Sequence, residues 1–207
     1  MSILINKTGI VDKERWENTS PKICFVLRNS CGIDTSERIN PYFRDKITSK
    51  NFIPTCAKGL KNVTETIIPE VQIDSLEEQE EVIKDLAFIF LNSDNELKND
   101  FNIEKEKDVI NYIKRHIAEF EPDIIFFGCS ISTFVTDIEA IKNDEKSYLM
   151  QVRDVLKKDG FIIIDNKVII KKDIGFGIDY TDVFLSTCQA YQNALCELKT
   201  KETGDEA

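Results

Sequence analysis

Residues 121–132 read Glu-Pro-Asp-Ile-Ile-Phe-Phe-Gly-Cys-Ser-Ile-Ser, and this stretch decides the fold. The run at 124–127 is apolar at consecutive positions, which is typical of a strand in a parallel sheet whose two faces are both covered by helices. Gly128 then predicts a turn, and Ser130 or Ser132 is suited to cap a following helix. Because ligands of open α/β sheets bind beyond the carboxyl ends of the strands, the same stretch predicts where a site lies.

Strand and helix patterns alternate along the rest of the chain. Strands are predicted at 22–27, 86–91, 123–128, 161–165, 167–171 and 182–185. Helices are predicted within 35–46 and 58–66, and at 75–84, 104–120, 130–141, 146–158 and 189–198. Ser75 and Glu78 form a capping box for the helix at 75–84, and the helix at 104–120 has apolar residues at helical spacing.

This alternation predicts a single α/β domain at 21–198. We expect three layers, α/β/α, around a mostly parallel central sheet. Residues 1–20 are predicted to form an N-terminal arm that packs on the domain through Trp16, and the polar residues 199–207 a disordered tail.

Composition limits the class of protein. Apolar residues make up 42% of the chain and charged residues 31%, as in soluble globular proteins. No apolar run approaches the roughly 20 residues of a membrane span, and the N-terminus does not resemble a secretory signal, so we expect a cytoplasmic protein without a membrane partner. The six cysteines form no CxxC pair and His116 is the single histidine, which predicts reduced thiols, no metal site and no cofactor.

Charge is unevenly distributed along the chain. The net charge is −10; residues 65–108 carry 14 acidic and 4 basic side chains, whereas residues 1–64 carry 11 basic and 6 acidic ones. The overall acidity argues against non-specific binding to nucleic acid. The acidic strip at 65–108 favours a basic protein partner, and the basic excess near the N-terminus leaves a specific DNA or nucleotide contact open.

Cations and aromatic side chains are interleaved after the first predicted strand. Residues 28–61 hold seven Arg or Lys side chains, among them Arg28 and Arg44, with Tyr42 and Phe43 between them. Aromatic rings that stack on bases, beside cations that hold phosphates, are what recognition of single strands or flipped bases requires. Aromatic side chains that fill the core of a loop are the alternative interpretation.

Several familiar motifs are absent. The chain contains neither GxxxxGK[ST] nor GxGxxG, so the main signature of a nucleoside-triphosphatase or of a Rossmann cofactor site is missing. The Gly128 turn differs from the nucleophile elbow of α/β-hydrolases, because Ser132 stands at a position that needs glycine and no histidine occurs late in the chain. The helix start at Ser130 and Ser132 remains suited to an anion or a polar ligand edge.

The order of these segments resembles the uracil-DNA glycosylase superfamily, in particular its short bacterial members. The resemblance covers residues 8–198. It is carried by Pro21-Lys22-Ile23-Cys24-Phe25-Val26-Leu27-Arg28-Asn29-Ser30, Leu86-Ala87-Phe88-Ile89-Phe90-Leu91-Asn92, Pro122-Asp123-Ile124-Ile125-Phe126-Phe127-Gly128-Cys129 and Ala190-Tyr191-Gln192-Asn193-Ala194-Leu195.

The resemblance implies roles for residues at the strand ends. Asn29 would orient a water molecule for catalysis, and Ser30 lies in the same turn. Asn40-Pro41-Tyr42-Phe43 is similar to the family's Asp-Pro-Tyr-His and would supply a stacking ring. Asn92 would read the base edge, and the Gly128 turn with Ser130 would contact the DNA backbone.

The chain departs from the family before the last helix. There the family's His-Pro-Ser turn stabilises the departing base, whereas this chain has Ser186-Thr187-Cys188 and only Thr187 would donate a neutral hydrogen bond. Loss of such a donor costs several kcal/mol, on the order of a thousandfold in rate.

Three functions remain open from the sequence. The first is a glycosylase-like protein that binds a nucleobase, a nucleotide or flipped-base nucleic acid, with hydrolysis of an N-glycosidic bond as a further step, as in DNA repair. The second is a catalytically inactive interaction protein of a bacterial stress or phage-defence system. The third is an unrelated α/β enzyme that acts on a small molecule.

Overall fold

A computed structural model gives the fold. It describes residues 4–5, 7–27, 31–32, 47, 51–70, 75–91, 103–128, 160–172, 174 and 178–204. Along the chain the elements are β1 (Leu4–Ile5), β2 (Gly9–Ile10), α1 (Lys13–Asn18), β3 (Ile23–Leu27), β4 (Cys31–Gly32), α2 (Phe52–Asn62), α3 (Leu76–Lys84), β5 (Leu86–Phe90), α4 (Ile103–Phe120), β6 (Ile124–Phe127), β7 (Phe161–Ile164), β8 (Lys167–Lys171) and α5 (Tyr180–Gly204).

The apolar runs of the sequence form the centre of a six-stranded sheet. Its order is β2-β5-β3-β6-β8-β7, and β1 pairs separately with β4. β3 is parallel to β5 on one side and to β6 on the other, and β6 is parallel to β8. β2 and β7 are antiparallel strands at the two edges. The prediction of an α/β fold with a mostly parallel sheet is therefore confirmed.

Helices cover both faces of this sheet, which is why every residue of β3, β5 and β6 is buried. On the first face, Phe25, Phe88 and Phe126 pack against α2, α3 and α5. On the second face, Val26, Ile89 and their neighbours pack against Trp16 of α1 and against α4. Alternate residues of one strand thus enter two separate cores. A polar side chain at any position of such a strand would be buried.

The N-terminal residues are attached to the domain at two places. β2 pairs with β5 at the sheet edge. Trp16 is 3% exposed, and its indole N–H donates to the carbonyl of Phe120 at 3.0 Å. The predicted docking through Trp16 is confirmed.

The C-terminal part of the chain differs from the prediction. Residues 182–185 were expected to form a strand but belong to α5, which begins at Tyr180. The carboxylate of Asp179 accepts from the amides of Thr181 and Asp182 at 2.9 and 3.4 Å and so caps this helix. An apolar run of three residues, Val183 to Leu185, cannot distinguish strand from helix by its period, and the core contacts follow helical spacing instead.

Other elements also begin or end at residues that differ from the prediction. α5 extends through Gly204, so residues 199–204 are helical rather than part of a disordered tail, and Lys201 pairs with Glu197 at 2.9 Å. The helix expected within 58–66 instead spans Phe52–Asn62. Pro54 lies in its first turn and is tolerated there, because the backbone N–H that proline lacks would have no partner within the helix. Helices predicted within 35–46 and at 130–141 and 146–158 lie outside the described residues.

Candidate functional site

The parallel strands end at one edge of the sheet, and their order makes part of that edge a topological switch point. After β3 the chain passes to β5 on one side, whereas after β6 it continues to β8 on the other side. The carboxyl ends of β3 and β6 are adjacent, and the connections that follow them leave in opposite directions. Such a switch point is where open α/β sheets bind ligands. We call the region beyond these two strand ends, where such sheets are expected to have a crevice, the β3–β6 crevice.

Gly128 lies at this crevice, and its role is to allow close packing. Its amide N–H donates to the carbonyl of Val26 at 3.0 Å, so the pairing with β3 continues through this residue. A side chain here would begin 2.9 Å from Cδ2 of Leu27 and 3.1 Å from Cδ1 of Ile174. Gly128 is therefore buried with its donor already used, and a ligand contact of this turn would have to come from its neighbours.

The starts of two helices reach the same edge. Phe52, the first residue of α2, lies with its ring centroid 5.9 Å from that of Phe126 and 5.3 Å from that of Tyr180, the first residue of α5. Phe52 is 1% exposed. Phe52, which also lies among the cations of 28–61, is thus a core residue.

Thr187 is not placed to contact a ligand. It lies inside α5 and is fully buried, and its hydroxyl donates to the carbonyl of Val183 at 2.6 Å. Ser186-Thr187-Cys188 is consequently a helical segment, not the turn before the last helix that the family resemblance implies. In the structure the hydroxyl proton of Thr187 is therefore already bonded within the helix, which does not favour its donation to a leaving base.

The remaining predicted site residues lie outside the described residues and stay predictions. They are Arg28, Asn29, Ser30, Tyr42, Phe43, Arg44, Asn92, Ser130 and Ser132. Their chain neighbours Leu27, Leu91 and Gly128 are described, and Leu91 donates its amide to the carbonyl of Leu27 at 2.9 Å. The chain thus enters the segments that hold Arg28, Asn92 and Ser130 from the carboxyl edge.

Sequence reasoning missed a cation at this edge, Lys172. It follows β8 directly, and its amide N–H donates to the carbonyl of Phe127 at 3.1 Å. Its side chain is half-buried, and burial lowers the pKa of its ammonium. The signal available in the sequence was the pair Lys171-Lys172 at the end of a strand whose centre is apolar.

Four carboxylates in the described part of the acidic strip form ion pairs within the protein. Glu65 pairs with Lys199 at 2.9 Å, and Glu78 pairs with Lys58. Asp85 accepts from Arg15 and from Lys61 at 2.6 Å each, and Glu81 pairs with Arg15 and Lys84. These carboxylates fasten α1, α2, α3 and α5 to one another, which leaves them less able to attract a basic partner.

Asp85 is the centre of this network and gives a pH-dependent prediction. Burial raises its pKa, but the hydrogen bonds from Arg15 and Lys61 outweigh burial and hold the pKa below its ordinary value. A lowered folded-state pKa means that the stabilisation exists above the unfolded pKa of about 3.9 and is lost as pH falls through the folded pKa. We expect Asp85→Asn to lower the free energy of unfolding by about 1–2 kcal/mol at neutral pH, since the carboxylate is partly exposed.

Urea unfolding of the wild type and of Asp85→Asn between neutral pH and about pH 3 measures this, and the difference should shrink below about pH 4. Glu77→Gln, at an exposed position of α3, is the control and should cause little change. An Asp85→Asn deficit that persists undiminished at the acidic end would contradict the ionic origin.

Cysteine and histidine side chains add no reactive centre to the described residues. Cys24, Cys56 and Cys188 are buried free thiols, as predicted, whereas Cys196 is exposed. Burial raises the pKa of Cys24 and Cys56, and that of Cys188 to about 12, so these thiols stay protonated. His116 is partly buried on α4 beside Tyr112 and Phe120. No group of metal-binding side chains occurs among the described residues.

No helix within the described ranges is long and apolar enough to cross a membrane.

Comparisons of the chain with protein-family models, with curated proteins and with solved structures find no match. The strand order and the chemistry of the strand ends are therefore the observations from which a function can be inferred.

Proposed function

We propose that the protein binds a nucleobase-containing ligand, either a nucleotide or a nucleic-acid strand with a flipped base, in the β3–β6 crevice. The observation that carries the proposal is the strand order, which makes the carboxyl ends of β3 and β6 a topological switch point. Ligands of doubly wound sheets bind at such points whatever their motifs.

Sequence chemistry around this crevice supports a nucleobase as the ligand. The segment that leaves β3 begins with Arg28 and contains Tyr42, Phe43 and Arg44. These residues combine the rings and cations that hold a base and its phosphate. The order of the strand-end segments also resembles the uracil-DNA glycosylase superfamily, in which a base is held at this edge.

Binding is proposed here rather than cleavage of the glycosidic bond. The residue that the resemblance offered to stabilise a departing base, Thr187, is buried and donates to Val183. Without a donor, a glycosylase transition state loses several kcal/mol of stabilisation. A glycosidic-cleavage assay on uracil-containing DNA would separate the two activities, and we expect binding without cleavage.

Fluorescence anisotropy tests the proposal directly. Labelled single-stranded DNA of about 12 nucleotides, with and without one uracil, is titrated with the protein at low and moderate salt. We expect salt-sensitive binding that is stronger for the uracil strand. Tyr42→Ala combined with Phe43→Ala should weaken it about tenfold or more, because stacking on an aromatic ring is worth about 1–3 kcal/mol per base.

A matched pair of charge variants controls for non-specific attraction. Arg44→Gln should weaken binding, whereas Arg115→Gln, which removes an exposed arginine from the middle of α4, should not. Equal effects of the two variants would indicate attraction by overall charge only. Absence of binding to DNA and to free nucleotides at low salt would contradict the proposal and would favour the interaction protein.

A further inference from the structure

The N-terminal residues join two parts of the molecule at the carboxyl edge of the sheet. β2 runs antiparallel to β5, with Gly9 opposite Phe88. Traced backwards from Gly9, the chain therefore approaches the carboxyl end of β5. β1 then pairs with β4, which begins at Cys31, four residues after the last residue of β3. We call β1, Lys7, Thr8 and β2 the N-terminal strap.

Thr8 anchors the strap at the point where it leaves the sheet. Its hydroxyl oxygen accepts from the amide of Phe90, the last residue of β5, at 2.9 Å, and from the hydroxyl of Tyr112 on α4 at 2.7 Å. In the register of β2, residue 7 would come opposite Phe90 if the ladder continued. The Thr8 hydroxyl takes the place of that main-chain partner, so the amide stays bonded while the chain turns away from β5 toward β4.

The strand order determines on which side of β3 the strap acts. In the order β2-β5-β3-β6, β5 lies between the strap and β3, and β6 lies on the far side of β3. Ile5 follows two residues from Lys7, so β1 lies at most about 7 Å from the end of β5 at which Thr8 is bonded. The pairing of β1 with β4 therefore draws the chain that leaves β3 toward β5. The carbonyl of Leu27 accepts from the amide of Leu91 on the same side at 2.9 Å, and both contacts hold this chain away from β6.

We propose that the N-terminal strap holds the chain that leaves β3 on the β5 side of the sheet and thereby keeps the β3–β6 crevice open to a ligand. Thr8 is the positioning residue of the strap, since its two hydrogen bonds determine the point from which β1 departs. The inference rests on the proposed function and assigns to that site a device that sets the fraction of molecules able to bind. Affinity falls in proportion to that fraction, so release of the strap weakens binding without loss of a ligand contact.

Thr8→Val tests the anchor, because valine keeps the shape of threonine and removes the oxygen that accepts both hydrogen bonds. Binding of labelled uracil-containing single-stranded DNA is measured well below the melting temperature, so that every variant is folded. We expect binding to weaken roughly threefold to tenfold, the effect of losing hydrogen bonds of ordinary strength, with an unchanged salt dependence because no phosphate contact is removed. Thr66→Val, at an exposed position between α2 and α3, is the matched control and should bind as the wild type does.

A disulfide across the strap distinguishes a device that holds the crevice open from a lid that must leave it. Ile5→Cys places a second thiol directly opposite Cys31 in the register of β1 and β4. Opposite residues of an antiparallel pair have Cα atoms about 4.5–5.5 Å apart, a separation that a disulfide spans. The variant is treated with oxidised glutathione and the cross-link is verified by peptide mass. Ile5→Cys combined with Cys31→Ser, treated in the same way, is the control.

The cross-linked variant is expected to bind the uracil strand at least as tightly as its control. Adding Thr8→Val to it should then weaken binding less than about twofold, because the disulfide keeps the strap in place without its anchor. Loss of binding on cross-linking, restored by a reductant, would show that the strap must leave the site, and failure to cross-link would show that β1 and β4 are not paired; either result overturns the inference.

The outcomes also separate this inference from the proposed function. If the wild type binds the uracil strand and Thr8→Val binds it equally well, the strap does not control the crevice and the proposed function stands. If the wild type binds neither DNA nor free nucleotides, both are wrong.

Discussion

Trp16→Ala is expected to lower the free energy of unfolding by about 3–5 kcal/mol, the range for removing a large aromatic side chain from a core. Trp16 is 3% exposed and packs with α4 against the second face of the sheet. Its indole N–H also donates to the carbonyl of Phe120, one of the last carbonyls of α4, at 3.0 Å. Those carbonyls have no partner within the helix, so the indole satisfies a group that would otherwise be buried unpaired. Urea unfolding followed by circular dichroism measures the loss.

Two further variants separate the packing of Trp16 from its hydrogen bond. Trp16→Phe keeps much of the apolar contact but leaves the Phe120 carbonyl without its donor, and should cost about 1–3 kcal/mol. Glu17→Ala, at the neighbouring exposed position, should leave stability almost unchanged. If Trp16→Ala were as stable as the wild type, residues 7–18 would not be part of the folded domain.

Gly59→Ala is expected to destabilise the protein although alanine is the better helix former. Gly59 lies in α2, where a Cβ would overlap the ring of Phe184, with Cζ at 2.9 Å, and would come within 3.2 Å of Sγ of Cys188. The higher helix propensity of alanine stabilises the helix by about 1 kcal/mol relative to glycine, but overpacking of a core typically destabilises a protein by about 1–3 kcal/mol. We expect a net loss of up to about 2 kcal/mol, because Phe184 is 4% exposed and cannot move into solvent.

A double-mutant cycle tests whether Phe184 causes this loss. In a Phe184→Leu background the smaller side chain makes room, so the additional cost of Gly59→Ala should fall by about 1 kcal/mol or more. Asn62→Ala, at an exposed position of the same helix, changes a residue outside this contact and removes only its hydrogen bond to the carbonyl of Lys58. Additive effects of the two substitutions would mean that α2 and α5 adjust without a clash.

Periodicity predicted the centre of the sheet well because burial on two faces leaves a strong local signal. The runs at 22–27, 86–91 and 123–128 correspond to β3, β5 and β6, and 161–165 and 167–171 correspond to β7 and β8. The helix at 104–120 was equally clear, since α4 presents one apolar stripe to the sheet. Ser75 caps α3 by accepting from the amide of Glu78 at 3.1 Å, as the capping box predicted.

The edge at which the sequence predicts a site follows from the fold class, whereas the contacts of individual side chains near that edge did not follow from the sequence. Phe52 and Thr187 have residue types suited to stacking and to donation, yet the packing of α2 against α5 buries both. Gly128 was interpreted as a turn, whereas its lack of a side chain admits Leu27 and Ile174. Each of these outcomes depends on a partner distant in the sequence, which a local pattern does not reveal.

By itself the sequence determined the fold class, the central strands and the edge at which a ligand is expected. These follow from local patterns, because successive side chains of a strand point to opposite faces of the sheet and a continuous apolar run therefore indicates burial on both faces. Only the tertiary structure decided that residues 182–185 are helical, that four carboxylates of the acidic strip pair with cations of other segments or of their own helix, and that Lys172 is half-buried at the end of β8. These features arise where elements far apart in the chain meet, since burial and charge pairing depend on distances in space and not along the sequence.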